Sequence, residues 1–156
     1  MKKLIAIVCL GMALQVNAQT VEISGKYDEI GKFHYGIAFV KLRGQVGAIN
    51  GEGKEVIKPE WDRLSGFGKD GIGYAHRNGL VGLMDRSGNL IAQPIYQRIG
   101  HFKNGKAVAE INGKEGIMDL TGKMIVDAKY DHLKIEEGGI IRASNNGQEV
   151  LLKAEK

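Results

Sequence analysis

The sequence is short of cysteine, of net charge and of long hydrophobic runs. Its one cysteine, Cys9, lies near the N-terminus, so the chain beyond it offers no disulfide and no thiol nucleophile. The formal net charge of +4 gives no concentrated basic surface, which excludes the usual electrostatic basis of nucleic-acid binding. After the first eighteen residues no apolar run is long enough to cross a bilayer.

The first eighteen residues are predicted to be a secretory signal peptide. Lys2 and Lys3 precede an apolar run over residues 4–14, and Val16 and Ala18 place small residues before a cleavage site. The run is shorter than the roughly 20 residues of a membrane span, which disfavours an uncleaved anchor. We therefore expect an exported protein, periplasmic or extracellular, in which residues 19–156 form a single domain.

The remaining chain is internally repeated. The segments 36–64, 71–99 and 105–133 align without a gap, and GLMDRSG at 82–88 returns as GIMDLTG at 116–122. The predicted organisation is a half unit at 21–35, whole units at 36–70, 71–104 and 105–138, and a half unit at 139–153. Six glycines recur at equivalent positions of the three whole units: Gly47, Gly82, Gly116, Gly53, Gly88 and Gly122.

Each unit is predicted to contain a β-hairpin followed by a third strand. Alternation of side-chain size over residues 37–42 indicates a strand. Asn78-Gly79, with its counterparts, indicates a type I′ hairpin turn. The third strand is predicted to end at Pro59 and Pro94, because proline cannot donate to a ladder, and an irregular stretch is expected to follow. Residues 127–137 alone also resemble a helix, an alternative that the repeat disfavours.

We therefore predict an all-β fold of tandem hairpin or meander repeats of about 34 residues, arranged as an open β-solenoid-like array. The alternative is a small closed four-bladed toroid, in which the C-terminal hairpin pairs with the N-terminal strand.

The repeated glycines, the Asn-Gly turn, the Asp-x-x-Gly turn and the Pro-x-aromatic ending resemble the WG-repeat family over residues 21–153. The position of the family's tryptophan holds Val46, Val81 and Glu115 here, so a binding surface built on that tryptophan would be lost. The resemblance implies an array of β units, often exported, and no settled activity.

The sequence offers no pattern typical of catalysis. The four histidines fall in no metal-binding spacing, and no serine lies in a Gly-x-Ser-x-Gly motif, so neither an enzyme nor a metal or cofactor is predicted. Asp85 and Asp119 suggest calcium, but one carboxylate per turn is too few ligands, and capping of the turn is the favoured interpretation.

One aromatic per unit admits two interpretations. Trp61, Tyr96 and Tyr130 either seal the core between successive units or form a ladder on which sugars stack. The first hypothesis for function is an exported, non-catalytic scaffold that binds a macromolecule, a protein of unknown identity, through its repeated face. The alternative is a carbohydrate or cell-wall binding module that uses these three aromatics.

Overall fold

A computed structural model of the protein describes residues 25–152, which are folded almost entirely into β-strands. The predicted signal peptide and the start of the first half unit lie outside the described residues. The strands are β1 (Glu29–Ile30), β2 (Ile37–Leu42), β3 (Gln45–Asn50), β4 (Glu55–Trp61), β5 (Arg63–Gly66), β6 (Ile72–Arg77), β7 (Leu80–Asp85), β8 (Leu90–Tyr96), β9 (Arg98–Ile99), β10 (Lys106–Ile111), β11 (Lys114–Asp119), β12 (Met124–Tyr130), β13 (His132–Ile135), β14 (Ile141–Asn145) and β15 (Gln148–Leu152).

The strands form four antiparallel sheets in chain order. The first three sheets are β1-β2-β3-β4, β5-β6-β7-β8 and β9-β10-β11-β12, and the fourth is β13-β14-β15. None of the sheets closes on itself, and between residues 25 and 152 no strand of the first sheet pairs with a strand of the fourth. The predicted all-β fold of tandem units, in sheets that do not close, is therefore confirmed. The N-terminal strand that a closed toroid would pair with the C-terminal hairpin begins outside the described residues.

The central hairpin of each sheet has the predicted type I′ turn. Both turn residues have positive φ in all four hairpins, for example 54° at Asn78 and 76° at Gly79. An aspartate from the start of the sheet supports three of these turns. The Oδ2 atom of Asp62, for instance, accepts a hydrogen bond of 2.6 Å from the backbone N–H of Asn78.

The sequence predicted that the third strand of a unit ends at Pro59 or Pro94. In the structure these strands continue past the proline. β4 and β8 run through Pro59 and Pro94 and end at Trp61 and Tyr96. The ladder between β3 and β4 shifts register between the pairs Ala48–Ile57 and Val46–Trp61, so Pro59 lies in a bulge. A bulged position on an outer strand requires no N–H donor, which is why proline is accepted there.

The stretch after each aromatic is also more regular than expected. Residues 63–66 form β5, which pairs with β6 and opens the second sheet, so each sheet begins directly after the outer strand of the previous one. Residues 127–137 belong mainly to β12 and β13, with only a short 3₁₀ turn at Glu137–Gly139. Pairing of β13 with β14 outweighs the local helical pattern.

The hydrophobic cores lie between successive sheets. The core between the first two sheets contains Trp61 with Leu64, Phe67 and Met84. The second and third sheets bury Leu83 and Tyr96 against Met118 and its neighbours in the same way. Each middle sheet is thus covered on both faces, which is the packing expected of a stacked repeat.

The turn between the third and fourth strands of a sheet also contacts the preceding sheet. A Cβ atom on Gly88 would lie 2.6 Å from the carbonyl oxygen of Val56 on β4, and one on Gly122 would lie 2.5 Å from that of Ile91 on β8. Glycine is therefore required twice over at these turns, for its positive φ and for close approach to the outer strand of the neighbouring sheet.

Candidate functional site

A groove lies between β12 of the third sheet and β14 and β15 of the fourth, and we call it the terminal groove. Its volume is about 930 Å³. Apolar side chains from both sheets line it, together with the ring of Tyr130: Val126, Ile141, Leu151 and Leu152.

The terminal groove corresponds to space that is filled at the earlier junctions. There, the turns of Gly88 and Gly122 cover the outer strands β4 and β8, and Ile57 and Ala92 on those strands are buried. Within residues 25–152 the fourth sheet contributes no such turn over β12. Val126, the counterpart of Ile57, therefore remains half-exposed and lines the groove.

The rim of the terminal groove carries charges of both signs. The lysines Lys106, Lys123 and Lys129 lie beside Asp119 and Asp127. The mixture gives no strong field of one sign, so the groove is unsuited to a polyanion such as nucleic acid. It is typical of a surface that combines apolar contact with a polar rim.

A buried carboxylate lies beneath the same junction. Glu115 on β11 is 6% exposed and is the buried charged residue of the described region. Its carboxylate bonds to the guanidinium of Arg98, and its Oε2 accepts a hydrogen bond of 2.5 Å from the backbone N–H of Leu133. His132 Nδ1 lies 3.3 Å from the same oxygen.

The Glu115 cluster joins the third sheet to the fourth. Arg98 belongs to β9 and Glu115 to β11, whereas His132 and Leu133 belong to β13. Arg98 and His132 are well exposed, so the guanidinium and the imidazole that contact the buried carboxylate face water on their outer sides. The sequence had marked position 115 only as a departure from the family's tryptophan. Arg98 belongs to the preceding sequence unit, and His132 and Leu133 belong to the next sheet, so the repeat pattern alone does not reveal these contacts.

The phased aromatics do not share one environment. Trp61 and Tyr96 are 3% and 7% exposed, and the Arg77 guanidinium lies 3.9 Å from the centroid of the Trp61 ring. Such placement favours the packing role over sugar stacking for these two rings. Tyr130 is half-buried and lines the terminal groove, so it alone of the three predicted stacking residues borders an open cavity.

The repeated glycines on β3, β7 and β11 have matching surroundings. A Cβ on Gly47 would lie 2.5 Å from the Ile57 carbonyl oxygen, one on Gly82 2.8 Å from the Pro94 nitrogen, and one on Gly116 2.5 Å from the Val126 carbonyl oxygen. In each case the bulged outer strand crosses directly over the glycine. These positions are structural, as the repeat indicates.

Asp85 and Asp119 cap their turns. The Oδ1 atom of Asp85 accepts hydrogen bonds from the N–H groups of Ser87 and Asn89, at 2.8 and 2.9 Å. Burial by itself raises the pKa of Asp85, but hydrogen bonds from Asn89, Ser87 and Gly88 outweigh it and lower that pKa. For Asp119 the hydroxyl of Thr121 is the main cause of a lowered pKa. Both carboxylate oxygens of Asp85, and the Oδ1 atom of Asp119, thus accept hydrogen bonds within their own turns.

The histidines are dispersed. His76 pairs with Arg63, whose Nη2 lies 3.0 Å from His76 Nε2, and burial, reinforced by the Arg63 charge, lowers the pKa of that imidazole. In the part of the chain that the structure describes, no three histidine, cysteine or acidic side chains are grouped as metal ligands. The same region contains no helix long and apolar enough to cross a membrane.

Fold and site together define a β-repeat protein whose sheets stack through shared cores and border a groove at the C-terminal junction. The WG containing repeat family matches the chain in four tandem copies, at residues 19–45, 47–79, 82–114 and 116–148. The protein therefore belongs to the WG-repeat family. No curated protein matches the sequence significantly.

Proposed function

We propose that the protein is an exported, non-catalytic WG-repeat module that binds another macromolecule, and that the terminal groove is its binding site. The observation that carries the proposal is the groove between the third and fourth sheets. The outer strands β4 and β8 are covered by a turn of the next sheet, whereas no turn within residues 25–152 covers β12, and its Val126 lines the groove. A partner that supplies apolar side chains there would complete the packing that the other junctions already have.

The lining of the groove favours a protein segment as partner. Leu151 is 60% exposed and Ile125 41% exposed, and lysines and aspartates flank them. Burial of such apolar area stabilises a complex by about 25 cal/mol per Å², while the mixed charges at the rim select the register of a polar partner chain. Export rests on the N-terminal sequence pattern and is part of the proposal.

Carbohydrate binding is the second candidate, and it now rests on Tyr130. This ring lines the groove, and Lys129 and Asp127 nearby offer a donor and an acceptor for hydroxyl groups. A glycan site of this kind would depend on one aromatic rather than on a ladder of three, because Trp61 and Tyr96 are enclosed in cores.

The test is capture of partners from cell-envelope extract by the protein and by two matched variants. Leu151→Lys places a charge in the groove, and Ile95→Lys places one at a similarly exposed apolar residue outside the groove lining. We expect Leu151→Lys to lose a protein that the native chain and Ile95→Lys both retain. Equal capture by both variants would remove the groove from the proposal.

Two further measurements separate the candidates. Retention on insoluble cell-wall glycan that is lost in Tyr130→Ala, without loss of protein partners, would favour the carbohydrate module. Fractionation of cells that express the full chain tests export. We expect a product shortened after Ala18 in the periplasm or medium, and recovery of the full-length chain in the cytoplasm would contradict it.

A further inference from the structure

The fourth sheet differs from the other three at one position that decides whether a further strand fits. The ladder pairs Val40 with Gly47, Ala75 with Gly82 and Ala109 with Gly116 in the first three sheets. In the fourth sheet Ala143 pairs with Val150. Val150 therefore occupies the register position that is glycine in every sheet with an outer strand.

Glycine is needed at this position because of the outer strand itself. The bulge of β4, β8 or β12 brings several backbone atoms to within 2.8 Å of where a Cβ atom would lie. Real Cβ atoms do not approach a carbonyl oxygen or peptide nitrogen so closely, and the backbone of a paired strand cannot yield as a flexible side chain does. A side chain here and a bulged outer strand exclude one another.

We propose that Val150 ends the array, because its side chain occupies the place of a bulged fourth strand and so prevents β15 from accepting an outer strand of the repeat. The side chain is 49% exposed, as expected where no strand crosses it. Among the strands of residues 25–152, β15 lies at the edge of its sheet and pairs only with β14. Edge strands with unpaired backbone groups otherwise recruit strands from other chains.

The strand that Val150 excludes is one that a second copy of the chain carries. Residues 21–27 repeat the sequence pattern of the outer strands, with Ile23 at the position of Ile57 and Tyr27 at that of Trp61. Addition of this segment to β15 of another copy would continue the repeat from chain to chain. Because such a head-to-tail contact does not close, it would generate filaments. Val150 thus prevents self-association through the edge of β15.

The experiment compares the native protein with Val150→Gly and Val150→Ala. A labelled peptide of residues 89–98, the outer strand of the second sheet, is titrated against each protein while fluorescence anisotropy is followed. Val150→Gly removes the Cβ atom, so we expect it to bind the peptide at least about tenfold more tightly than Val150→Ala, which keeps the Cβ and should resemble the native protein. Sedimentation should show concentration-dependent association for Val150→Gly alone.

Equal peptide affinity for the glycine and alanine variants would overturn the proposal. Binding of the peptide to β15 of the native protein would also overturn the proposal, whatever the result for the variants. Changes in the NMR shift of the Leu151 amide would locate such binding. Circular dichroism of each variant establishes that its sheets are intact before titration. The capture experiment with Leu151→Lys tests the groove, and the peptide titration tests the edge of β15. Because the two measurements are separate, this proposal and the proposed function can fail independently.

Discussion

The carboxylate of Glu115 accepts a hydrogen bond of 2.5 Å from the backbone N–H of Leu133, so a side chain of the third sheet satisfies the main chain of the fourth. The Leu133 side chain is 3% exposed, and the bond is enclosed at the junction. In the second unit the matching position holds the buried apolar residue Val81. One junction of the array is therefore polar where its counterpart is apolar.

Glu115→Ala is expected to destabilise the protein by about 2 kcal/mol, because it leaves the Leu133 N–H without an acceptor at a buried site. Glu115→Gln keeps an acceptor oxygen and should cost less. Glu110→Ala is the matched control, since Glu110 only pairs with Arg98 at 3.4 Å on the surface, and it should cost about 0.5 kcal/mol or less. Urea unfolding measures the free energy of unfolding of all three variants. Similar losses for Glu115→Ala and Glu110→Ala would contradict a stabilising role of the Glu115–Leu133 hydrogen bond.

Gly82→Ala should destabilise the protein by about 3 kcal/mol. The new Cβ would lie 2.8 Å from the nitrogen of Pro94, and the bulge of β8 would have to move away. Gly51→Ala is the control, because no atom lies within 4 Å of a Cβ built there, and its cost should stay below about 0.5 kcal/mol. Thermal unfolding that separates the two variants supports the packing role, and equal melting temperatures would contradict it.

Trp61→Ala should cost about 4 kcal/mol, since it removes a ring enclosed between the first two sheets. Tyr35→Ala, at an aromatic that is 58% exposed, should change stability little. Urea denaturation followed by far-ultraviolet circular dichroism compares them. If Trp61→Ala folds with unchanged stability but no longer binds glycan, the ring acts in stacking rather than in the core.

Stability should fall in acid partly through Asp119. The Thr121 hydroxyl, with backbone N–H groups, lowers its pKa below the ordinary 3.8, so the folded state favours the carboxylate. This contribution is fully present above the unfolded pKa and is lost as pH falls through the lower folded pKa. Asp119→Asn, which imitates the Asn50 turn, should therefore lose less stability than the native protein between about pH 5 and about pH 2. Parallel acid profiles of the urea midpoint would contradict this.

The sequence was sufficient to predict the turns and the strands that flank them. Asn78-Gly79 can adopt two successive positive φ values at little cost, so local chemistry determines that hairpin. The path of β4 could not be predicted in this way. Pro59 is a strand breaker by local rules, but the bulge that accommodates it exists only because Gly47 lies on the neighbouring strand.

The candidate site was less accessible to prediction. The groove depends on Val126 and Leu151, which come from different sheets. Their exposure depends on how the sheets pack, which the local sequence does not specify. Tyr130 was identified in the sequence, but as one of three equivalent aromatics. Their difference in exposure arises from stacking of whole sheets, which periodicity within a unit does not report.

The three cores between sheets are not equally filled. Within residues 25–152, the first two each enclose eight buried residues and the third encloses four, which include Leu133 and Ile141. The fourth sheet is thus held most weakly, so its amides should exchange with solvent before those of the middle sheets. A ligand seated in the terminal groove would slow that exchange, and occupancy of the groove could then be followed from the backbone of β14 without knowledge of the ligand.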